Sequence, residues 1–242
     1  MPRVTSGHCS EVGRVRPHNE DSLLSGDRLW AVADGMGGHA AGEVASALAI
    51  DGLRPLDARE DLTPAELVDA LQEVNRRILA HGEQHPEARG LGSTVTGLAI
   101  VRVDGEPRWA VFNVGDSRVY RWADGTLGRV TVDHSEAEEL VLGGVITQEQ
   151  ARTHRSRNVV TRSLGQPEEL RVDVWLLPCT DGERFLVCSD GLNGELTDDA
   201  IAGVLAAHPG PDAAAAALVG AAVAAGGHDN VTAIVLDVAQ AA

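Results

Sequence analysis

The chain has 242 residues, 43% apolar and 23% charged, enough to bury a sizeable core and ordinary enough to exclude a disordered or fibrous class. Its formal charge of −16 sets 36 acidic residues against 20 basic ones, and that balance argues against a nucleic-acid partner, whose binding is dominated by Lys and Arg. Every basic residue is Arg, which removes P-loop nucleotide hydrolases and kinases, since both meet nucleotide phosphates with a specific Lys.

Met1-Pro-Arg-Val opens without an apolar signal core, and the first predicted strand spans Arg3 to Cys9. A polar loop, Arg16-Pro17-His18-Asn19-Glu20-Asp21, precedes a strand from Leu29 to Ala33, a small-residue turn at Gly35-Met36-Gly37-Gly38 and a helix from Ala40 to Leu53. Thr63-Pro64-Ala65-Glu66 joins an N-cap, Pro at the first helical position and a capping-box Glu, so a helix should run from there to about His81. Strands are predicted over Ser93 to Val103, Arg108 to Val114 and Val119 to Trp122. From Ser135 to Asn158 two short capped helices, a Gly143-Gly144 break and an Arg/His-rich stretch read as an inserted flap. Strands from Val172 to Leu177 and Arg184 to Ser189, helices from Ala200 to Ala207 and Asp212 to Ala225, and a strand from Val231 to Val238 complete the chain.

This order of strand groups and paired helices predicts a sheet core covered by helices, in a single domain over residues 1–242. The Ala-rich run from Ala213 to Gly227 is shorter than the ~20 residues a bilayer span needs. Cys9, Cys179 and Cys188 form no C-x-x-C pair and fit a reducing compartment. A cytoplasmic protein without a membrane partner is expected, and nothing in the sequence demands more than a monomer.

Six Asp-Gly dipeptides occur, and most read as turns. Asp34 and Asp190 differ because each directly follows an apolar, strand-like run; Asp116 ends another, and Asp229 directly precedes the last strand. If those strand ends converge, bare anions would repel each other in a desolvated site, and either protons or cations must neutralise them. All-oxygen ligation suits Mg²⁺ or Mn²⁺, and no Cys/His spacing suits structural zinc. Arg16 has the charge and fork geometry to grip a phosphate, or is a solvated loop charge. His39, beside the glycine turn, has an unperturbed pKa suited to proton transfer, or is a helix-start histidine. Arg152, Arg155 and Arg157 of the flap are candidates to meet acidic segments of a substrate.

Taken in order, Arg16 to Asp21 (R-x-x-N-E-D), Ala33 to Glu43, Gly92 to Thr96, Val114 to Arg118, Asp133-His134-Ser135, Ser189-Asp190-Gly191 and Asp229-Asn230-Val231-Thr232 resemble the bacterial branch of the type 2C, metal-dependent protein phosphatases. The resemblance implies an α-β-β-α sandwich of two antiparallel sheets with the site at one edge. It implies two Mn²⁺ or Mg²⁺ ions, with Asp34 bridging both, the Gly35 carbonyl on one, Asp190 and Asp229 on the other, and Glu20, Asp21 and Asn230 in support. A third, weaker ion would sit on Asp116 and Asp190, with Asn158 contributing. Arg16 matches the phosphate-binding arginine. The implied reaction is single-step hydrolysis of phosphoserine or phosphothreonine on phosphoproteins, opposing a bacterial Ser/Thr kinase, by a water that two divalent cations activate. Where eukaryotic relatives read D-G-H-G-G, Met36 stands in place of the histidine, leaving His39 and a metal-bound water as rival donors to the leaving alkoxide. A phosphoprotein-binding module without turnover and a hydrolase of small phosphoesters are the competing readings.

Overall fold

The computed structural model describes residues 2–37, 41–167 and 169–239. Within them the chain runs β1 (Arg3–Glu11), β2 (Asp21–Ser25), β3 (Leu29–Met36), α1 (Ala41–Leu53), α2 (Pro64–Gln84), β4 (Gly92–Ser93), β5 (Val95–Val103), β6 (Glu106–Val114), β7 (Arg118–Ala123) and β8 (Thr126–Arg129). It continues through α3 (Glu136–Leu142), α4 (Gln148–Arg152), β9 (Asp173–Pro178), β10 (Arg184–Cys188), α5 (Asp190–Glu195), α6 (Asp198–Ala207), α7 (Pro211–Ala225) and β11 (Val231–Ala239).

The strands form two antiparallel sheets, one in the order β1-β11-β10-β7-β8 and the other β2-β3-β5-β6-β9, with β4 paired to β3. Helices cover both outer faces, giving the four-layer α-β-β-α sandwich. The layering follows from the period of two along each strand. On β3, Leu29, Ala31 and Ala33 point into a core shared with α1 and α2, while Trp30 and Val32 point into the layer between the sheets. On β11, Val231, Ala233 and Val235 meet α6 and α7, while Ile234, Leu236 and Val238 face the other sheet. Central strands are therefore apolar on both faces, which is why they read as uninterrupted apolar runs. The inter-sheet layer centres on Trp109, which meets Trp30 edge-on at 6.0 Å and Phe185 at 5.5 Å.

Several boundaries differ from the sequence expectation. The capping box of α2 is present, with the Thr63 side chain accepting from the Glu66 N–H, but the helix continues past His81 to Gln84. Gly35 and Met36 are strand rather than turn, because β4 supplies a short partner opposite them, pairing Gly35 with Ser93 and Met36 with Gly92. The expected strand from Ser93 correspondingly divides at Thr94. Ala40, the expected first residue of α1, lies outside the described residues. The Ser135 and Thr147 caps start α3 and α4 as expected, and Ser135 bridges to Val160 at the base of the flap.

Candidate active site

Each candidate carboxylate is delivered by a sheet edge. Asp34, near the end of β3, is paired in register with Asp21 at the start of β2. Asp116 follows β6, and Asp190 and Asp229 flank β10 and β11 in the opposite sheet. These ends meet around a pocket of about 330 Å³ lined by Arg16, Glu20, Asp34, Gly35, Asp116, Asn158, Asp190, Asp229 and Asn230, together with Met36, Gly37, Thr94 and Val160. Asp21 stands behind the wall, its Oδ2 accepting a hydrogen bond from Ser189 Oγ at 2.8 Å. His39 lies outside the described residues.

Local contacts explain why these groups hold their places. Asn230 clamps the Arg16 loop to β11: its Oδ1 accepts from the Glu20 N–H at 2.8 Å, and its Nδ2 donates to the carbonyls of Val12 at 3.0 Å and His18 at 2.9 Å. Arg16 reaches across the pocket mouth to Asp229, Nη2 to Oδ2 at 2.7 Å. Gly35 is required by packing, since a Cβ there would collide with the Gly42 carbonyl of α1. Thr94 ties the two walls together, its Oγ1 accepting from the Asp34 N–H at 3.0 Å and lying 2.8 Å from Ser117 Oγ beside Asp116.

Electrostatically the site is under strain. Burial first, then repulsion from Asp21, Asp190, Asp116 and Asp229, pushes the Asp34 carboxyl well above the usual carboxylate range. Burial and Asp190 do the same to Asp116. Burial raises Asp21 to about 7, and burial with the charge of Asp229 raises Asp190 to about 6. The buried Oδ1 atoms of Asp21 and Asp190 have no hydrogen-bond partner among the described residues. Among the described residues, no three His, Cys, Asp or Glu side chains form a ready-made metal cage. The donor set nevertheless fits a hard divalent cation: converging acids, an orphaned carboxylate oxygen on Asp190 and, among the described residues, no thiol or imidazole in the wall. A cation held by the acids of the pocket wall would relieve that repulsion.

Sequence reasoning assigned no individual role to Thr94, Ser189 or His134, although each lies in a motif it singled out. Their partners are brought together only by the fold, so spacing carries no trace of the contact.

Residues 16–209 match the family model described as Protein phosphatase 2C. The chain is 41% identical over 234 residues to the serine/threonine protein phosphatase PstP of Mycobacterium tuberculosis, covering 95% of this chain and 44% of that protein. It therefore spans less than half the length of that relative. It is 32% identical over 241 residues to the serine/threonine phosphatase stp of Listeria welshimeri, covering 94% of this chain and 93% of that one. Its fold superposes with a TM-score of 0.88 on the crystal structure of the catalytic domain of PstP in complex with two manganese ions, at 37% identity over 99% of this chain and 100% of that one.

Proposed function

The chain belongs to the protein phosphatase 2C family, and from that premise we propose that it hydrolyses phosphoserine and phosphothreonine esters on proteins, opposing a bacterial Ser/Thr kinase, as one catalytic domain with a flap at 135–158. The observation that carries this reading is the convergence of Asp34, Asp116, Asp190 and Asp229, from both sheets, with Arg16 on one pocket. Asp34, the Gly35 carbonyl, Asp190 and Asp229 would hold two Mn²⁺ or Mg²⁺ ions, with Glu20 and Asp21 acting through waters. Asp116 and Asp190, with Asn158, would hold a third more weakly. Bound there, such ions supply Lewis-acid polarisation of the phosphoryl oxygens and a water acidic enough to attack at neutral pH.

The protein's own groups do the rest. Arg16 stays charged at any working pH and offers paired N–H donors to the phosphoryl oxygens, orienting phosphorus. Asn230 keeps the Arg16 loop in register with β11, so the guanidinium and Asp229 face one another across the mouth. Water replaces the serine or threonine oxygen on phosphorus, and the leaving alkoxide takes up a proton, for which His39 is our candidate donor.

The test is phosphate release from a phosphothreonine peptide in Mn²⁺, in Mg²⁺ and in EDTA, alongside Asp34→Asn. Activity with either metal, abolished by EDTA and reduced about 100-fold or more by the substitution, is expected. Folded protein inactive in every metal would instead favour a phosphoprotein-binding module. A preference for free phosphorylated sugars over the peptide would favour small phosphoesters.

A further inference from the structure

The turn that presents Asp116 is gripped from behind by a histidine. Gly115 adopts φ +114°, and a Cβ there would stand 2.6 Å from the Thr94 side chain, so the turn has little freedom of its own. Its N–H donates to His134 Nδ1 at 3.0 Å, and its carbonyl accepts from the His134 N–H at 2.9 Å and from Asn113 Nδ2 at 3.0 Å. A backbone amide can only donate, so Nδ1 must be the bare nitrogen and the ring proton belongs on Nε2. Asp173 Oδ2 stands 3.1 Å from Nε2 to receive it.

Asp173 is fixed in turn by Arg162, whose Nη1 donates to Oδ1 at 2.7 Å and lies 2.9 Å from Nε2. That charge beside the ring opposes a second proton on His134. The ring is buried, 6% exposed, and the same residue holds the base of the flap, its carbonyl accepting from the Thr161 N–H at 2.8 Å. One residue thus links the Asp116 turn and β9 through its ring and the flap base through its carbonyl.

We propose that His134 is a positioning residue for Asp116: its Nε2–H tautomer, set by the Gly115 N–H and Asp173, holds the Gly115 turn that presents Asp116 to the pocket, and so governs both cation uptake at Asp116 and turnover. The proposal rests on the phosphatase reading of Asp116 given above.

Two substitutions separate the ring's nitrogens. His134→Asn places an amide oxygen near the position of Nδ1 and can still accept from Gly115. His134→Gln reaches the position of Nε2, keeps a donor for Asp173, and leaves the buried Gly115 N–H unpaired. With the full chain, turnover of a phosphothreonine peptide in Mn²⁺ and calorimetric titration of Mn²⁺ are measured beside Asp116→Asn, with thermal melting as the folding control. H134Q should lower kcat about tenfold or more and weaken the loosest Mn²⁺ binding step, as D116N does. H134N should rescue both to within about threefold of the parent, and H134Q should add nothing in a D116N background.

Equal losses in H134N and H134Q, or additive losses in the double variant, overturn the proposal. A loss in D116N with none in H134Q overturns the positioning role and leaves the Asp116 reading intact. D116N with unchanged turnover and Mn²⁺ uptake overturns both. Should H134Q fail to melt cooperatively, Asp173→Ala replaces it: a kcat loss of about threefold or more that vanishes in the D116N background is expected, and an unchanged kcat overturns the proposal.

Discussion

Arg16 and Asp229 lie 213 residues apart in sequence and 2.7 Å apart in space. The bond to Asp229 and its charge raise the Arg16 pKa further above its ordinary value. Because Arg16 is about half exposed, the pair itself contributes little stability. Its consequence is orientation: the guanidinium is held at the mouth of the acidic pocket. Arg16→Ala should lower kcat/KM for a phosphothreonine peptide roughly 10- to 100-fold, since charged hydrogen bonds contribute about 1.5–3 kcal/mol. Arg16→Lys should recover only part of that loss, because an ammonium lacks the planar fork; full recovery would make Arg16 a simple point charge. The strand-end aspartates were legible because a carboxylate at the end of an apolar run breaks the pattern. The contacts of Thr94, Asn230 and His134 were not, because a residue type at a given spacing does not reveal which backbone amide or carbonyl the fold sets against it.

Elements were legible where local chemistry decides them and obscure where a partner does. The Thr63 and Thr147 capping boxes specify the starts of α2 and α4 from four residues each. By contrast β2, Asp-Ser-Leu-Leu-Ser, is a polar edge strand whose pairing to β3 supplies a signal absent from its own residues. The flap shows both cases. Its caps are local, but the buried Glu138, held by Arg129 and by Gln148, anchors α3 through partners that spacing does not announce. The structure also distinguishes the three flap arginines. Arg152 donates to the Leu196 carbonyl at 3.2 Å, docking the flap on α5. Arg152 and Arg157, with Asn158, line a cavity of about 90 Å³ that shares Asp116, Asn158 and Asp190 with the main pocket, whereas Arg155 lines neither; of the two, only Arg157 is free of the α5 contact that holds Arg152. Arg157→Ala should therefore raise KM for a phosphopeptide about threefold or more while leaving KM for a small aryl phosphate nearly unchanged, and Arg155→Ala should do neither. Equal shifts for both substrates would remove Arg157 from substrate selection.

At the scale of the molecule, two physical demands oppose one another: an apolar layer that holds the sheets together and an acidic pocket that strains their edge. Trp109, fully buried between Trp30 and Phe185, is the centre of the first. Trp109→Ala should cost about 3–5 kcal/mol of unfolding free energy, read from the midpoint of urea denaturation at constant slope. The second makes stability depend on pH. Asp21 and Asp190 keep their protons in the folded chain up to about pH 7 and about pH 6, whereas an unfolded Asp loses its proton near pH 4. The folded chain therefore binds more protons in this window, and its advantage, full below about pH 4, is lost as pH rises through 6 to 7. In EDTA, Tm should fall between pH 5 and pH 7.5, and Mn²⁺ should raise Tm more at the higher pH, where it no longer competes with protons. The opposite trend would mean that the acids are already neutralised by protein groups. Scanning fluorimetry at the two pH values decides.

Asp34 lies on a strand of one sheet while Asp190 and Asp229 flank strands of the other, so the pocket sits across the seam of the sandwich. Any cation these residues share would be a removable rivet between two plates that a few hydrogen bonds, among them Ser189 to Asp21 and Glu20 to Asn230, already join at that edge. Amide hydrogens near the ends of β3 and β10 should then slow their exchange together when Mn²⁺ is added, and quicken together when it is withdrawn, although the two strands share no backbone hydrogen bond.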